Sequence, residues 1–258
     1  MTANPVVSVI MPAYNGESTV HASLQSLFAQ TFTDLEVIVV DDGSTDSTLA
    51  ILRELESDEP RLRVMTQANQ RQAAARNTGL GQARGRYIAF LDADDFALPE
   101  RLAKQVAFLE QRPEVMVLGG GRIDFDAVDG RELGIVLNPE SHATLCGNIF
   151  TQCPFSTSTV MARSEFFASR RFDVTMPPCE DHDLWLRSYR DPGVCYHNLS
   201  KPLVRYARRR RLRWHYFGQM SRMYRRALVA EARWPADAWY SLRPWIAAVI
   251  CNPLNWGD

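Results

Sequence analysis

The sequence predicts an α/β fold with a mostly parallel central sheet and helices on both faces, and three observations carry that expectation. Short β-branched-rich runs alternate with helical patterns through the first 120 residues, a spacing that gives right-handed βαβ units. Those runs are predominantly apolar, interrupted only by single polar residues such as Ser8 and Glu36, as strands buried on both faces are. With 258 residues the chain can bury roughly 70–75% of its unfolded surface, enough for one substantial core.

The elements follow in order. Val6–Met11 (VVSVIM) reads as the first strand and Leu35–Val40 (LEVIVV) as the second. Between them, Thr19–Ala29 sets Val20, Leu24, Leu27 and Phe28 on one helical face. Ser47–Glu56 is the next helix, with Ser44 and Asp46 as N-cap candidates. Leu62–Met65 is a third strand, Gln72–Ala83 an Ala-rich helix, and Tyr87–Leu91 (YIAFL) a fourth strand. Pro99 opens the helix Glu100–Gln111, and Val115–Leu118 is a fifth strand. After residue 120 the alternation decays. GGGRIDFDAVDGREL reads as a turn into an edge hairpin, 138–160 as a loop-rich polar stretch, and Glu180–Tyr189 as a helix.

With 46% hydrophobic and 23% charged residues, the composition excludes a disordered, collagen-like or disulfide-scaffold protein. The net charge is -1, yet residues 201–230 hold ten Lys/Arg and no acid, so the remainder sums to -11. No nucleic-acid motif accompanies that basic run, and no nucleic-acid partner is expected. The five cysteines are scattered without a CxxC pair and read as reduced thiols of a cytosolic protein. The N-terminus lacks the basic region of a signal peptide. Pro244–Gly257 is 14 residues long, short of the roughly 20 needed to cross a bilayer.

In an open α/β sheet, ligands bind outside the carboxyl ends of the strands. After the first strand comes Pro12-Ala13-Tyr14-Asn15-Gly16, after the second Asp41-Asp42-Gly43-Ser44, and after the fourth Asp92-Ala93-Asp94-Asp95. Carboxylates this close repel unless a cation neutralises them. They suit a hard divalent ion that keeps positions open for substrate phosphates. Singly, Asp42, Asp46 or Asp94 is equally explained as a turn or cap residue. Gathered on one sheet edge, the set is not.

VSVIMPAYNG, EVIVVDDGSTDST, ARNTGL with ARGRYIAFLDADD, and CEDHDLWLR, in this order, resemble the signature of family 2 glycosyltransferases over about residues 6–190. The resemblance implies a GT-A fold with a Rossmann-like sheet. It implies a catalytic domain over 1–200, with a nucleotide-sugar half at about 1–120 and an acceptor half at about 121–200. A basic, Trp-rich helical extension over 201–258 would follow, carrying Trp234, Trp239, Trp245 and Trp256.

On the same resemblance, Pro12, Ala13 and Tyr14 line the base pocket of a nucleotide-sugar donor, and Asp42 accepts a hydrogen bond from the base. Arg76 meets the diphosphate or the acid cluster. Asp92 and Asp94 form the DxD element, with Asp94 holding Mn²⁺ or Mg²⁺ and Asp92 touching the ribose or sharing the ion. Asp95 braces the loop. Asp181 is the base that takes the acceptor's proton, with Glu180 as the alternate, and His182 is structural or faces the acceptor. The expected reaction is a single inverting displacement from a UDP-sugar to a hydroxyl of a glycan or lipid-linked saccharide. Two departures from the family pattern stand out. Arg71 takes a position where Gly is common, and arginines replace a metal-side His near Arg208 and Arg209, either of which could clamp phosphate.

The basic run has three readings: a solvated helix face, a closure over the diphosphate, or docking on anionic lipid. The last would place a cytoplasmic protein peripherally on the inner face of the cell membrane. Two rival functions remain. A sugar-nucleotide nucleotidyltransferase is disfavoured because PAYNGES carries no basic residue. A non-catalytic glycosyltransferase-like partner subunit is disfavoured because Asp42, Asp92, Asp94 and Asp181 are all present.

Overall fold

In the computed structural model, which describes residues 4–176, 178–208, 214–231 and 237–244, the alternation is realised directly. The elements run β1 (Val7–Ala13), α1 (Val20–Phe28), β2 (Leu35–Asp41), α2 (Thr48–Asp58), β3 (Leu62–Thr66), α3 (Arg71–Leu80), β4 (Tyr87–Phe90), β5 (Phe96–Ala97) and α4 (Arg101–Gln111). Then follow β6 (Val117–Asp126), β7 (Glu132–Val136), α5 (His142–Gly147), β8 (Met161–Arg163), α6 (Glu180–Ser188), β9 (Tyr196–Arg208) and α7 (Trp214–Ala230).

The described residues form a nine-stranded sheet ordered β3-β2-β1-β4-β8-β6-β9-β5, with β7 paired to β6. β1, β2, β3 and β4 pair in parallel, in the register Val7↔Leu35 and Val7↔Tyr87. Every residue of β1 and β2 is buried, which is why these strands read as predominantly apolar runs with few polar interruptions. Successive side chains alternate between two cores. Val9 and Met11 join Leu24 and Leu27 of α1 and Leu102 of α4 on one face. Ile10 joins Ala73 and Leu80 of α3 and Trp185 of α6 on the other. Gly79 lets α3 lie against β1, since an added Cβ would come within 2.5 Å of Ile10 Cγ2.

The second half is mixed: β8 runs antiparallel to β4 and β6, while β9 runs parallel to β6. The expected hairpin is β6–β7. The stretch 138–160 is less irregular than expected. It holds α5, too short to display a period, and a buried 3-10 turn at Thr157–Thr159. The boundary at 200/201 is corrected, because β9 crosses it and lies between β6 and β5. Likewise, β6 crosses 120/121, so the two expected halves share one sheet. Val204–Arg208, read as the start of a helical basic run, is strand; its backbone pairs with β6 and β5. α7 turns Met223, Tyr224 and Leu228 into the same core as α6. Arg209, Arg210, Arg211, Trp234, Trp245 and Trp256 lie outside the described residues.

Candidate active site

The carboxyl ends of β1, β2 and β4 open onto one cleft of about 420 Å³, lined by Pro12, Ala13, Tyr14, Asp42, Asp92 and Asp94. Gln72, Asp95, Tyr206 and Arg208 also line it. The loops that carry these groups are stapled together. The Asp42 N–H donates to the Ala13 carbonyl at 2.8 Å. Asn15, at φ 48°, accepts the Thr45 N–H at 2.8 Å, and its own N–H donates to Ser44 Oγ at 3.0 Å. Ser44 is therefore tied to the first loop instead of capping α2. Asp46 stands one residue before the N-cap, which is Ser47, its Oδ1 accepting the Thr48 N–H at 3.0 Å. Gly43 has φ 73°, and a Cβ there would meet the Asn69 nitrogen at 2.9 Å; no other residue fits that turn without strain. Asp42 Oδ1 accepts from Gln67 Nε2 at 2.8 Å and the Gln70 N–H at 2.9 Å.

Behind the cleft, Arg76 joins two acids from distant parts of the chain. Its guanidinium donates to Asp92 Oδ1 at 2.7 Å and to Glu180 Oε1 at 2.8 Å, with the side chain only 2% exposed. Burial works against its charge, but Asp92 and Glu180 hold its pKa above the ordinary value. Of its two expected partners, Arg76 thus takes the acid cluster and does not line the cleft. Burial pushes Glu180's pKa up while Arg76 opposes it. Gln72 also donates to Glu180 Oε1. Buried and engaged on one oxygen by both groups, Glu180 is a structural partner of Arg76, and its reading as alternate base is corrected. Asp95 braces the loop as expected. Its Oδ1 accepts the Ala207 N–H at 2.8 Å, and burial together with Asp92 raises its pKa well above the carboxylate range.

Asp181 is the second residue of α6, where acids in the first turn complement the macrodipole. It is partly exposed, and its Oδ2 accepts from Thr157 Oγ1 at 2.7 Å. It is not part of the cleft wall, but it follows Glu180 directly, and its charge helps raise the pKa values of Arg76 and of the cleft residue Tyr206. His182 is buried with Nε2 2.7 Å from the Ile149 carbonyl, and burial lowers its pKa; of the two roles open to it, it takes the structural one. The helix is anchored by Trp185, whose ring meets Phe155 edge-on at 5.1 Å, a contact worth about 0.5–1.5 kcal/mol beyond its buried area.

The two departures have different outcomes. Arg71 adopts φ 70°, the left-handed region where Gly costs nothing; it is exposed and does not line the cleft. Arg208 does line it, 3.5 Å from Asp124 Oδ2.

Among the described residues, no three His, Cys, Asp or Glu side chains form a metal-binding group. Asp92 and Asp94, both partly exposed in the cleft, fit a different mode. Mg²⁺ and ions like it are commonly held by one or two carboxylates plus water and substrate phosphates. Sequence reasoning passed over Gln72, Tyr206, Thr157 and Ser158. Its one available signal was the four-hydroxyl run Ser156–Thr159, directly before the apolar Val160-Met161.

The description "Glycosyl transferase family 2" belongs to the family model that matches residues 8–175. A β-1,3-glucosyltransferase of Escherichia coli, WfgD, acts from UDP-Glc on α-D-GlcNAc-diphosphoundecaprenol. It is 42% identical over 191 residues, covering 73% of this chain and 72% of WfgD. Two solved structures share the fold. TarS of S. aureus has TM-score 0.66 and 23% identity over 98% of this chain and 44% of TarS. The mannosyltransferase PcManGT of Pyrobaculum calidifontis, solved with GDP-Man and Mn²⁺, has TM-score 0.67 and 18% identity over 100% of this chain and 77% of that one. The match over most of the acid-bearing sheet, together with the close relation to WfgD, establishes that this chain is a glycosyltransferase of the GT-A fold and belongs to glycosyl transferase family 2.

Proposed function

We propose that the protein moves a sugar from a nucleotide-sugar, in the first place a UDP-sugar, to a hydroxyl of a glycan or lipid-linked saccharide in cell-surface polysaccharide or glycolipid synthesis. The observation that carries this reading is the convergence of Pro12, Ala13, Tyr14, Asp42, Asp92 and Asp94 on one cleft. WfgD's donor, UDP-Glc, and its diphosphate-lipid acceptor support the substrate classes.

In this reading the base lies between Tyr14 and Asp42. Gln67 and the Gln70 amide fix Asp42 Oδ1, leaving Oδ2 as the oxygen that accepts the base's N–H. Asp94 and Asp92 would hold Mn²⁺ or Mg²⁺. When bound, such an ion supplies Lewis-acid stabilisation of the departing diphosphate. Arg76 holds Asp92 in place through its buried ion pair. Asp181 accepts the acceptor's proton as that oxygen bonds to the anomeric carbon. The C–O bond to the diphosphate breaks on the opposite side, its electron pair leaves with the nucleotide, and the configuration inverts.

A thermal-shift panel of UDP-, dTDP- and GDP-sugars with Mn²⁺ tests the reading. A donor at 100 times its dissociation constant adds about 2.7 kcal/mol, or roughly 5–10 °C for a chain of this size. Asp94→Ala should remove the Mn²⁺-dependent part of that shift, as read in parallel melts with EDTA. A panel that leaves the melting temperature unmoved throughout would count against the proposal.

Peripheral membrane contact rests on the outer side of the C-terminal part. Val229, Trp239 and Leu242 are exposed, as are Arg222 and Arg225 of α7. Among the described residues, no helix is long and apolar enough to cross a membrane. At about 1 kcal/mol per basic residue, Arg222→Glu with Arg225→Glu should cut flotation with anionic liposomes by about thirtyfold or more. Equal recovery of both proteins would remove the membrane contact. Point changes are the right tool, because truncation at residue 200 would cut β9.

A further inference from the structure

We infer that Thr157 is a positioning residue for the catalytic base, and that the turn carrying it couples the base to the donor-side acids. The inference rests on the reading of Asp181 as that base.

Ser156, Thr157, Ser158 and Thr159 are all buried, at 9%, 6%, 0% and 0% exposure. Four buried hydroxyls in succession are costly unless each is satisfied, so their partners reveal what the turn is for. Thr159 closes the turn on itself, donating to the Ser156 carbonyl at 2.7 Å. The Arg122 guanidinium donates to Ser156 Oγ. The remaining two reach the acids. Thr157 Oγ1 donates to Asp181 Oδ2 at 2.7 Å, across 24 residues of sequence. Ser158 Oγ accepts the Asp92 N–H at 3.1 Å. One short turn thus touches the first residue of the Asp92–Asp95 loop and the carboxylate of Asp181.

The geometry of Asp181 shows why a second element is needed. The residue is the partly exposed second residue of an otherwise buried helix start, and among the described residues its Oδ1 accepts the local His182 N–H, at 2.7 Å. That bond leaves the carboxylate free to pivot about it. Thr157 grips the other oxygen from a buried turn and fixes the plane of the carboxylate. The proton still passes from the acceptor hydroxyl to Asp181; Thr157 neither gives nor takes one.

Three measurements on the full-length protein test this. In protein labelled with ¹³C at aspartate, the side-chain carboxylate signal of Asp181 is identified by its loss in Asp181→Asn. It should move in Thr157→Val and return in Thr157→Ser, whether or not any donor is turned over. Thr157→Ala serves if the Val variant fails to fold. For UDP release from UDP-glucose with Mn²⁺, kcat should fall about tenfold in Thr157→Val with KM unchanged, as for a misaligned base. Thr157→Ser should restore it, and adding Thr157→Val to Asp181→Asn should cost nothing further. An unmoved Asp181 signal in Thr157→Val overturns the inference while leaving the base intact. Full turnover in Asp181→Asn overturns the base itself, and the two failures are distinct.

Discussion

Asp181→Asn is expected to lower sugar transfer by about 10²–10⁴-fold, the usual contribution of a positioned general base, while leaving donor-induced thermal stabilisation unchanged. The asymmetry follows from where the residue stands. Asp181 lies off the wall of the nucleotide cleft, so removing its charge does not touch the groups that would grip base and diphosphate. Its amide replacement keeps the shape, with the amide oxygen accepting the His182 N–H and the NH2 donating to Thr157 Oγ1, which separates lost chemistry from lost structure. Glu180→Gln is the matched control. Glu180 is buried against Arg76 and Gln72, so its replacement should appear mainly as a lower melting temperature. Product formation by chromatography, with melts of the same samples, reads both. Transfer within a few-fold of wild type in Asp181→Asn would end its role as base.

The first half of this architecture was legible because its physics is local. β1, β2 and β4 are buried on both faces, so Val6–Met11, Leu35–Val40 and Tyr87–Leu91 stand out as predominantly apolar runs, broken only at Ser8 and Glu36, each with acids or turn residues just beyond. The site acids were legible for the same reason: strand ends in such a sheet share an edge. What escaped notice is set by partners distant in sequence. β8 has three residues and α5 six, too few for any period to show. β9 carries Lys201, Pro202 and Arg205 among its thirteen residues, and only its pairing with β6 and β5 makes it a strand. The link from Arg76 to Glu180 spans 104 residues. Nothing near either residue announces it, and without it Glu180 read as a candidate base.

That link has the largest expected effect on stability. Arg76→Ala leaves Glu180, 1% exposed at its side chain, as a buried carboxylate without its counter-ion. Breaking a buried pair in this way costs about 3–5 kcal/mol, or roughly 6–20 °C in melting temperature for a chain of this size. The loss should depend on pH with a definite sign. Burial already raises Glu180's pKa above its ordinary 4.5, and removing Arg76 takes away the main opposing influence, raising it further. A carboxyl that binds protons more tightly when folded stabilises the fold at low pH, and that stability declines as pH rises from the unfolded value toward the folded one. The deficit against wild type should therefore shrink as pH falls toward the ordinary carboxylate range, as followed by thermal melts. A deficit that grew on acidification would contradict the pairing. Replacing both partners, Arg76→Met with Glu180→Met, should recover much of the stability, since apolar side chains of similar size substitute well for a buried pair. Activity should not recover with it. Asp92 would lose the 2.7 Å bond that holds it, and the start of α6, where Asp181 stands, would lose its tie to α3. Stability regained without turnover would locate the function of this ion pair in positioning the site's acids.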